Sequence, residues 1–296
     1  MAEFFFTDAP LDGNSFDLTF SSVGALLVRD RANLVAIDVD GNVNLFSVSR
    51  PLPATFGLRS DSSGGLLTAT FPGSQILAIE SSGIVTTYWD EALVIPYALF
   101  PTHDGGLFLT DFSVPLVGYI PPGAGGLVTL VQGTDFAASA SGIVHDPDRD
   151  MVFYLSYELG LLYGLDVTNI GEPGKPQVLY DLRADEPNVR LSGVAMDICG
   201  HLYVVDENQG GPGALYRFEL DASGTTVIAV TRLATDFPAG IANCVFAEGP
   251  SWDAYETTLF CVGLPGVIYT VDVGVQGAPT AISPHQSRRF RPGYLK

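Results

Sequence analysis

A single carboxylate on a tight corner is the residue of this chain best placed to do chemistry. Glu248 is followed directly by Gly249 and Pro250, and then by Trp252 in an aromatic turn. Two short apolar runs come next, separated by a Gly-Leu-Pro-Gly break, a pattern typical of a β-hairpin. We therefore expect Glu248 to serve as a general acid or base beside that hairpin.

Equivalent positions exist in the other repeats of the chain. Each repeat has one strong apolar strand, and counting back ten or eleven residues from it reaches a small, aromatic or acidic side chain. Glycine follows three of these positions, which allows close approach to the backbone. We predict that the set lines one opening of a central channel, with Glu248 as the catalytic residue. The substrate-binding members are Phe16, Phe56, Tyr97, Ser141 and Ser192, to which we add Asp206 at the end of a strong strand.

An internal repeat predicts the elements that position these residues. The apolar pairs that open the strong strands are 40 to 57 residues apart, from Leu26 to Leu66 at the short end and from Leu202 to Leu259 at the long end. Each is preceded by a polar turn and followed by one or two further apolar runs. Repeats of this length with several strands each are the signature of a β-propeller.

The repeat predicts an all-β, six-bladed propeller that occupies residues 1–296 as a single domain. The last repeat has only a weak fourth run, whereas the apolar N-terminal segment 3–7 has no repeat of its own. We therefore predict that this N-terminal strand closes the ring. The predicted blades span residues 11–50, 51–92, 93–134, 135–184, 185–240 and 241–284.

The amino-acid composition excludes some classes of binding partner. The net charge of −19 and a pI of about 4.3 argue against nucleic acid and anionic membrane surfaces but do not identify a partner. The small-molecule substrate that we expect follows from the candidate residues at the channel opening. The three cysteines have no paired spacing and are expected to be small buried hydrophobic residues, with one oxidised pair as the alternative if the protein is secreted. The N-terminus lacks the pattern of a signal peptide, which favours the cytoplasm, and a processed secreted chain is also compatible with it. The oligomeric state is not encoded in any pattern that we can read.

Three segments resemble a known family. EGPSWDAYETTLFCVG, from Glu248, is similar to the first-blade motif of the senescence-marker/gluconolactonase (regucalcin-like) six-bladed propellers. SGIVHDPDRDMVFYLSY and SGVAMDICGHLYVVDENQGGPGALYRF are similar to the later blades of that family and to NHL repeats. Strictosidine synthase-like propellers share the architecture. Here the Glu-Gly-Pro motif falls in the last repeat, so the chain starts at a different point of the ring.

The resemblance implies chemistry but leaves alternatives open. It implies that Glu248 helps to bind a divalent metal, usually calcium, and that the protein is a lactone or ester hydrolase. Ser141 and Ser192 stand where the family has Asn or Asp, which makes a poor calcium site. A carboxylate set among Phe16, Phe56 and Tyr97 would instead be desolvated, which suits a metal-independent cyclase, isomerase or lyase on an apolar substrate. A propeller that only binds a ligand is the third hypothesis.

Overall fold

The fold is an array of short antiparallel strands. A computed structural model describes residues 3–4, 11, 17–30, 33–71, 73–91, 93–208, 212–237, 241–263 and 266–282. The described helices are α1 (Thr134–Ala137) and two 3-10 turns, Leu182–Ala184 and Pro250–Tyr255. The strands are β1 (Glu3–Phe4), β2 (Leu18–Phe20), β3 (Leu26–Asp30), β4 (Asn33–Ile37), β5 (Val43–Phe46), β6 (Ala54–Ser60), β7 (Leu66–Phe71), β8 (Ile76–Ile79), β9 (Val85–Trp89), β10 (Pro96–Pro101), β11 (Leu107–Asp111), β12 (Leu116–Ile120), β13 (Val128–Gln132), β14 (Ala140–Asp146), β15 (Met151–Ser156), β16 (Leu161–Asp166), β17 (Gln177–Asp181), β18 (Leu191–Met196), β19 (Leu202–Asp206), β20 (Gly213–Leu220), β21 (Val227–Phe237), β22 (Ile241–Phe246), β23 (Thr258–Gly263) and β24 (Val267–Asp272).

Aspartate turns set the strand ends. After β6, the carboxylate of Asp61 accepts the backbone N–H groups of Ser63 at 2.8 Å and Gly65 at 2.9 Å, so the chain reverses into β7. Asp197 does the same for Cys199 and His201 before β19. A side-chain carboxylate that accepts nearby amides competes with continuation of the strand. Much of the acidity of the chain therefore serves local turn chemistry.

The described strands form six four-stranded sheets, which confirms the six-bladed propeller. Five sheets take their strands in chain order from the inside outwards, beginning with β2, β6, β10, β14 and β18. The sixth has the order β22-β23-β24-β1. Its outer strand pairs Glu3 with Thr270 and Phe4 with Tyr269. The prediction that the N-terminal strand closes the ring is thus confirmed.

The core lies between neighbouring blades. A blade cannot bury both of its faces alone, so it packs against the blade on each side. At the seam between the last and first blades, Trp252 stacks edge-on against Phe20 and Phe260, at 5.1 Å between centroids in both cases. The Trp252 indole N–H donates to the Gly24 carbonyl oxygen at 2.7 Å. The aromatic turn seen in the sequence therefore belongs to the packing between two blades.

Two cysteines form a cross-strand disulfide. Cys244 in β22 and Cys261 in β23 stand directly opposite each other and are joined, while Cys199 is free. The expectation of three small buried hydrophobic residues was therefore wrong, and the alternative of one oxidised pair is the arrangement observed. Spacing along the chain does not show which residues face each other across a hairpin. No helix among the described residues is both long and apolar enough to cross a bilayer.

The inner strands pack tightly around the axis. A Cβ on Gly57 would lie 2.7 Å from the Tyr97 carbonyl oxygen, and one on Gly142 would lie 2.6 Å from that of Ser192. Glycine is needed because each inner strand touches the next one at this level. We call the end of the channel where inner strands begin the upper mouth, and the end where they finish the lower mouth.

Candidate functional site: the upper mouth of the channel

Bulges concentrate at the start of the inner strands. The pairing register shifts between Phe56 and Arg59 in β6 and between Pro96 and Leu99 in β10. The corresponding shifts in β14, β18 and β22 begin at Ala140, Leu191 and Ile241. A bulge bends the strand and redirects its side chains, and bulges are over-represented beside active sites. In five successive inner strands, the backbone is therefore irregular at the same level of the channel.

A buried ion pair occupies the centre of this mouth. Asp17, next to β2, is buried and accepts from the Arg59 guanidinium and from the Asn243 side-chain amide, at 2.8 and 2.6 Å. It also accepts the backbone N–H groups of Leu18 and Leu58 at 2.8 Å each. Four donors satisfy both carboxylate oxygens of Asp17. These hydrogen bonds link three inner strands to one another.

Arg59 reaches through the channel. Arg59 lines a narrow cavity of about 20 Å³ at the upper mouth and also a cavity of about 80 Å³ at the lower mouth. The upper cavity has room for about one water molecule. The fixed charge on Arg59 thus separates the two openings. Neither Arg59, Asp17 nor Asn243 was singled out from the sequence.

An aromatic row forms one wall of the upper mouth. Tyr97 stacks on Phe56 with 5.0 Å between ring centroids and lies 5.4 Å from Phe112. Phe112 continues to Tyr157 at 5.6 Å. The Tyr97 hydroxyl is 3.0 Å from the Ser192 hydroxyl. Phe56, Tyr97 and Ser192 were all predicted from the sequence, and the structure brings them together at one cavity.

A carboxylate completes this wall. Glu207 follows β19 directly and is buried, and the Tyr157 hydroxyl hydrogen-bonds to it. Burial raises the pKa of Tyr157, with the charge of Glu207 as the next cause, and burial also raises the pKa of Tyr97. Both phenols therefore remain protonated at neutral pH and can donate hydrogen bonds. The result is an apolar wall with hydroxyl donors and one carboxylate.

Asp206, predicted to bind substrate, has a structural role instead. Its carboxylate accepts the backbone N–H groups of Arg190 at 2.8 Å and Asn208 at 3.0 Å, and burial raises its pKa. Asp111 at the end of β11 holds its turn in the same way. The residue after each of these aspartates, Glu207 or Phe112, faces the mouth. Counting one residue further along the chain would have identified Glu207.

Ser141, also predicted to bind substrate, makes a structural hydrogen bond instead. Phe16 lies outside the described residues. The Ser141 hydroxyl is fully buried and donates to the Leu191 carbonyl oxygen at 2.7 Å. That bond ties β14 to β18 and leaves no group directed at a ligand. The glycine after Ser141 is needed for strand contact, as described above, and not for approach of a substrate.

Glu248 lies at the opposite end of the channel from its predicted position. It follows β22 and lines the lower cavity with Phe20, Pro101 and Met196. Its carboxylate accepts a hydrogen bond from the Thr280 hydroxyl at 2.6 Å and is partly exposed. The count from Leu259 misplaced it because the 3-10 turn Pro250–Tyr255 lengthens the β22–β23 hairpin. The residue of this blade at the upper mouth is Asn243.

The described residues of the upper mouth do not fit a calcium ion. Calcium takes six to eight oxygen ligands, with carboxylates preferred. Asp17 is the carboxylate lining the described part of the axial cavity, and it is already paired with the Arg59 guanidinium. Across the described chain, no group of three or more His, Cys, Asp or Glu residues is arranged to hold a metal. The positive charge of Arg59 beside Asp17 would also repel a divalent cation.

Comparisons with solved structures agree on the fold. No family model and no curated protein matches the sequence. A structure described as a putative gluconolactonase superposes with a TM-score of 0.71 at 15% identity, covering 94% of both chains. A gluconolactonase from Xanthomonas campestris gives 0.68 at 15%, covering 94% of this chain and 95% of that one. Regucalcin from Agrobacterium tumefaciens, described as calcium-binding, gives 0.66 at 13%, covering 92% and 94%. The resemblance inferred from the motifs is confirmed at the level of a gluconolactonase-type propeller fold.

Proposed function

We propose that this protein is a metal-independent hydrolase of a small apolar lactone or ester, which it binds at the upper mouth. The observation that carries the proposal is the convergence of Glu207, Tyr157 and Tyr97 on an aromatic wall beside the Asp17–Arg59 pair. Gluconolactonases share the fold, which is the reason for naming a lactone. The apolar wall is the reason for naming an apolar one.

The wall would bind the ring or acyl chain of the substrate outside the axial cavity, which has room for only about one water molecule. Phe56, Tyr97 and Phe112 offer stacked faces within 5.0 to 5.4 Å of each other. Aromatic walls of this kind hold flat or apolar ligands with little loss of side-chain entropy, because the rings are already packed in place. Hydroxyl groups at the edge, from Tyr97 and Ser192, would orient the carbonyl oxygen.

Glu207 acts as the general base that accepts and returns the proton. Its carboxylate accepts a proton from a water molecule while the water oxygen attacks the carbonyl carbon, and the oxyanion receives a hydrogen bond from the Tyr97 hydroxyl. When the carbon–oxygen bond to the leaving alkoxide breaks, the proton on Glu207 passes to that oxygen. The products are a hydroxy acid from a lactone, or an acid and an alcohol from an ester. Arg59 contributes a fixed positive charge near the developing anion.

Turnover of 3,4-dihydrocoumarin, an aromatic lactone, would test the proposal against gluconolactone as a polar control. We expect ring opening of the aromatic lactone with uptake of one water molecule, at an unchanged rate after treatment with a chelator. Changing Glu207→Gln removes the base and should lower kcat by roughly a hundredfold or more. Phe56→Leu should raise KM more than it lowers kcat. Asp61→Asn, in a turn far along the second blade, is the matched control.

The outcomes separate the hypotheses. A product of unchanged mass would indicate a cyclase or isomerase, and one that splits without uptake of water would indicate a lyase. Binding without turnover would indicate a ligand-binding propeller. Activity that disappears with chelator and returns with calcium would contradict the metal-independent mechanism.

A further inference from the structure

A second cavity opens at the lower mouth, away from the proposed catalytic wall. It measures about 470 Å³ and lies between the third and fourth blades. The turns after β10 and β14 form two sides, and residues 278–281 form a third side that it shares with the smaller axial cavity. A cavity of this size can hold most of a drug-sized molecule.

Aromatic rings line the inner part of this cavity. Phe108 lies 4.7 Å from Tyr119 and 4.7 Å from His145, measured between ring centroids. Phe100 approaches the edge of His145 at 6.4 Å. The remaining inner surface is aliphatic, and includes Met196. The faces of such rings carry negative partial charge, which attracts a cation placed over them.

The rim of the cavity is acidic. Asp104, Asp148 and Asp150 contribute to it, and the described lining contains no lysine or arginine. A hydrogen bond from the Thr102 hydroxyl lowers the pKa of Asp104, so this carboxyl stays ionised. Burial lowers the pKa of His145, which therefore brings no positive charge at neutral pH. A chain with a net charge of −19 also concentrates cations near its surface.

We propose that this cavity binds an organic ammonium ion, with the positive nitrogen between the acidic rim and the ring faces and an apolar body inside. The aromatic and carboxylate groups are arranged in depth, with the rings inside and the charges at the opening. This arrangement suits a cation attached to an apolar group better than a metal ion, which needs several converging oxygens. An organic anion would meet the three carboxylates and be repelled.

Titration with benzyltrimethylammonium, followed by calorimetry or by NMR, tests the proposal. Phenylacetate and benzyl alcohol serve as the anionic and neutral comparisons. We expect the cation to bind at least tenfold more tightly than either. Asp104→Asn and Tyr119→Leu should each weaken its binding roughly threefold to tenfold, since each removes one of the two attractions. Asp61→Asn is the matched control, because Asp61 occupies the corresponding turn of the second blade but does not line this cavity.

Two results would overturn the proposal. One is equal binding of the neutral probe, which would make the cavity a simple apolar pocket. The other is binding that is lost in Phe56→Leu and kept in Tyr119→Leu, which would locate the cation at the upper mouth. Far-ultraviolet circular dichroism and the melting temperature of each variant verify that it is folded. The test does not depend on turnover, so it stands apart from the hydrolase proposal.

Discussion

The two mouths of the channel are built from the same six strands, yet they use their polar groups in opposite ways. At the upper mouth, bulges and glycines bring the strands close, and the carboxylate of Asp17 is satisfied by four donors. At the lower mouth, hairpin turns spread apart and leave a cavity with acids at its rim. At the upper mouth, the Asp17–Arg59 pair is buried and links inner strands. At the lower mouth, carboxylates lie at the opening of a cavity.

The difference shows where a carboxylate can be replaced without damage. A buried charge that loses its partner leaves the other charge uncompensated, whereas a rim charge is compensated by water. The same substitution should therefore have very different effects at the two mouths. The following predictions run from the largest expected effect to the smallest.

Asp17→Ala should be the most damaging change. It leaves the Arg59 guanidinium, the Asn243 amide and two backbone N–H groups without their acceptor, and we expect a loss of about 3 to 5 kcal/mol in the free energy of unfolding. Urea denaturation measures it. Asp104→Ala, at the lower rim, is the comparison. Equal losses from the two variants would show that the mouths do not differ.

Loss of the disulfide should come next. The bond between Cys244 and Cys261 closes a loop of 17 residues by sequence separation. Replacing both by alanine should lower the free energy of unfolding by about 2 to 4 kcal/mol. Thermal melting with and without a reducing agent checks this, and the reductant should have no effect on the double variant. An unchanged melting temperature of the native chain in reductant would contradict it.

Protonation of His145, at the lower mouth, should make the stability of the protein depend on pH. We expect this effect to be smaller than that of removing the disulfide. Burial lowers the pKa of His145, although the nearby Asp146, Asp150 and Asp104 act to raise it. The unfolded chain therefore binds a proton more readily than the folded one. Above the pKa of histidine in the unfolded chain, about 6.5, His145 is neutral in both states and the folded protein keeps its full free energy of unfolding. As the pH falls below that value, the unfolded chain takes up the proton first and the free energy of unfolding decreases.

Melting curves at pH 7.5 and pH 5.5 measure that dependence. His145→Gln should reduce the difference in melting temperature between the two conditions. Met196→Leu provides the comparison, because Met196 lines the same cavity and carries no ionisable group, and it should leave the difference nearly as it is in the native chain. An identical pH dependence in the native chain and in His145→Gln would rule out this origin.

Glu248→Gln should have the smallest effect. The carboxylate is partly exposed, and the hydrogen bond that it accepts from the Thr280 hydroxyl can also be accepted by the amide oxygen of glutamine, so the free energy of unfolding should change by less than about 0.5 kcal/mol. Hydrolysis at the upper mouth should continue at the native rate. Complete loss of turnover would return the catalytic role to the lower mouth and to the residue first suggested by the motif.

The repeat in the sequence predicts the propeller well because apolar strands and aspartate turns are local signals. The closing strand was also predictable, since the last repeat lacked a strong outer run and the N-terminal segment had no repeat of its own. Phe56, Tyr97 and Ser192 followed from counting within regular blades. These successes depend on hairpins of similar length from blade to blade.

The remaining site residues depend on contacts between blades, which one sequence does not show. Glu248 was misplaced because one hairpin contains an extra 3-10 turn. Asp17 stands one residue after the predicted Phe16, and its importance comes from Arg59 and Asn243 in two other blades. The acidic pair Asp206 and Glu207 was visible, but only the fold shows that the first holds a turn and the second faces the mouth.

The strand that completes the last blade has a consequence for how the molecule assembles. Glu3 and Phe4 pair with Thr270 and Tyr269, so two segments that lie far apart along the chain must meet before the last blade is complete. Contacts so distant along the chain form slowly, because a long loop has to close first. Until then, β24 has an unpaired edge that can pair with another chain. Rapid pairing of β1 with β24 would therefore favour the closed ring over aggregation.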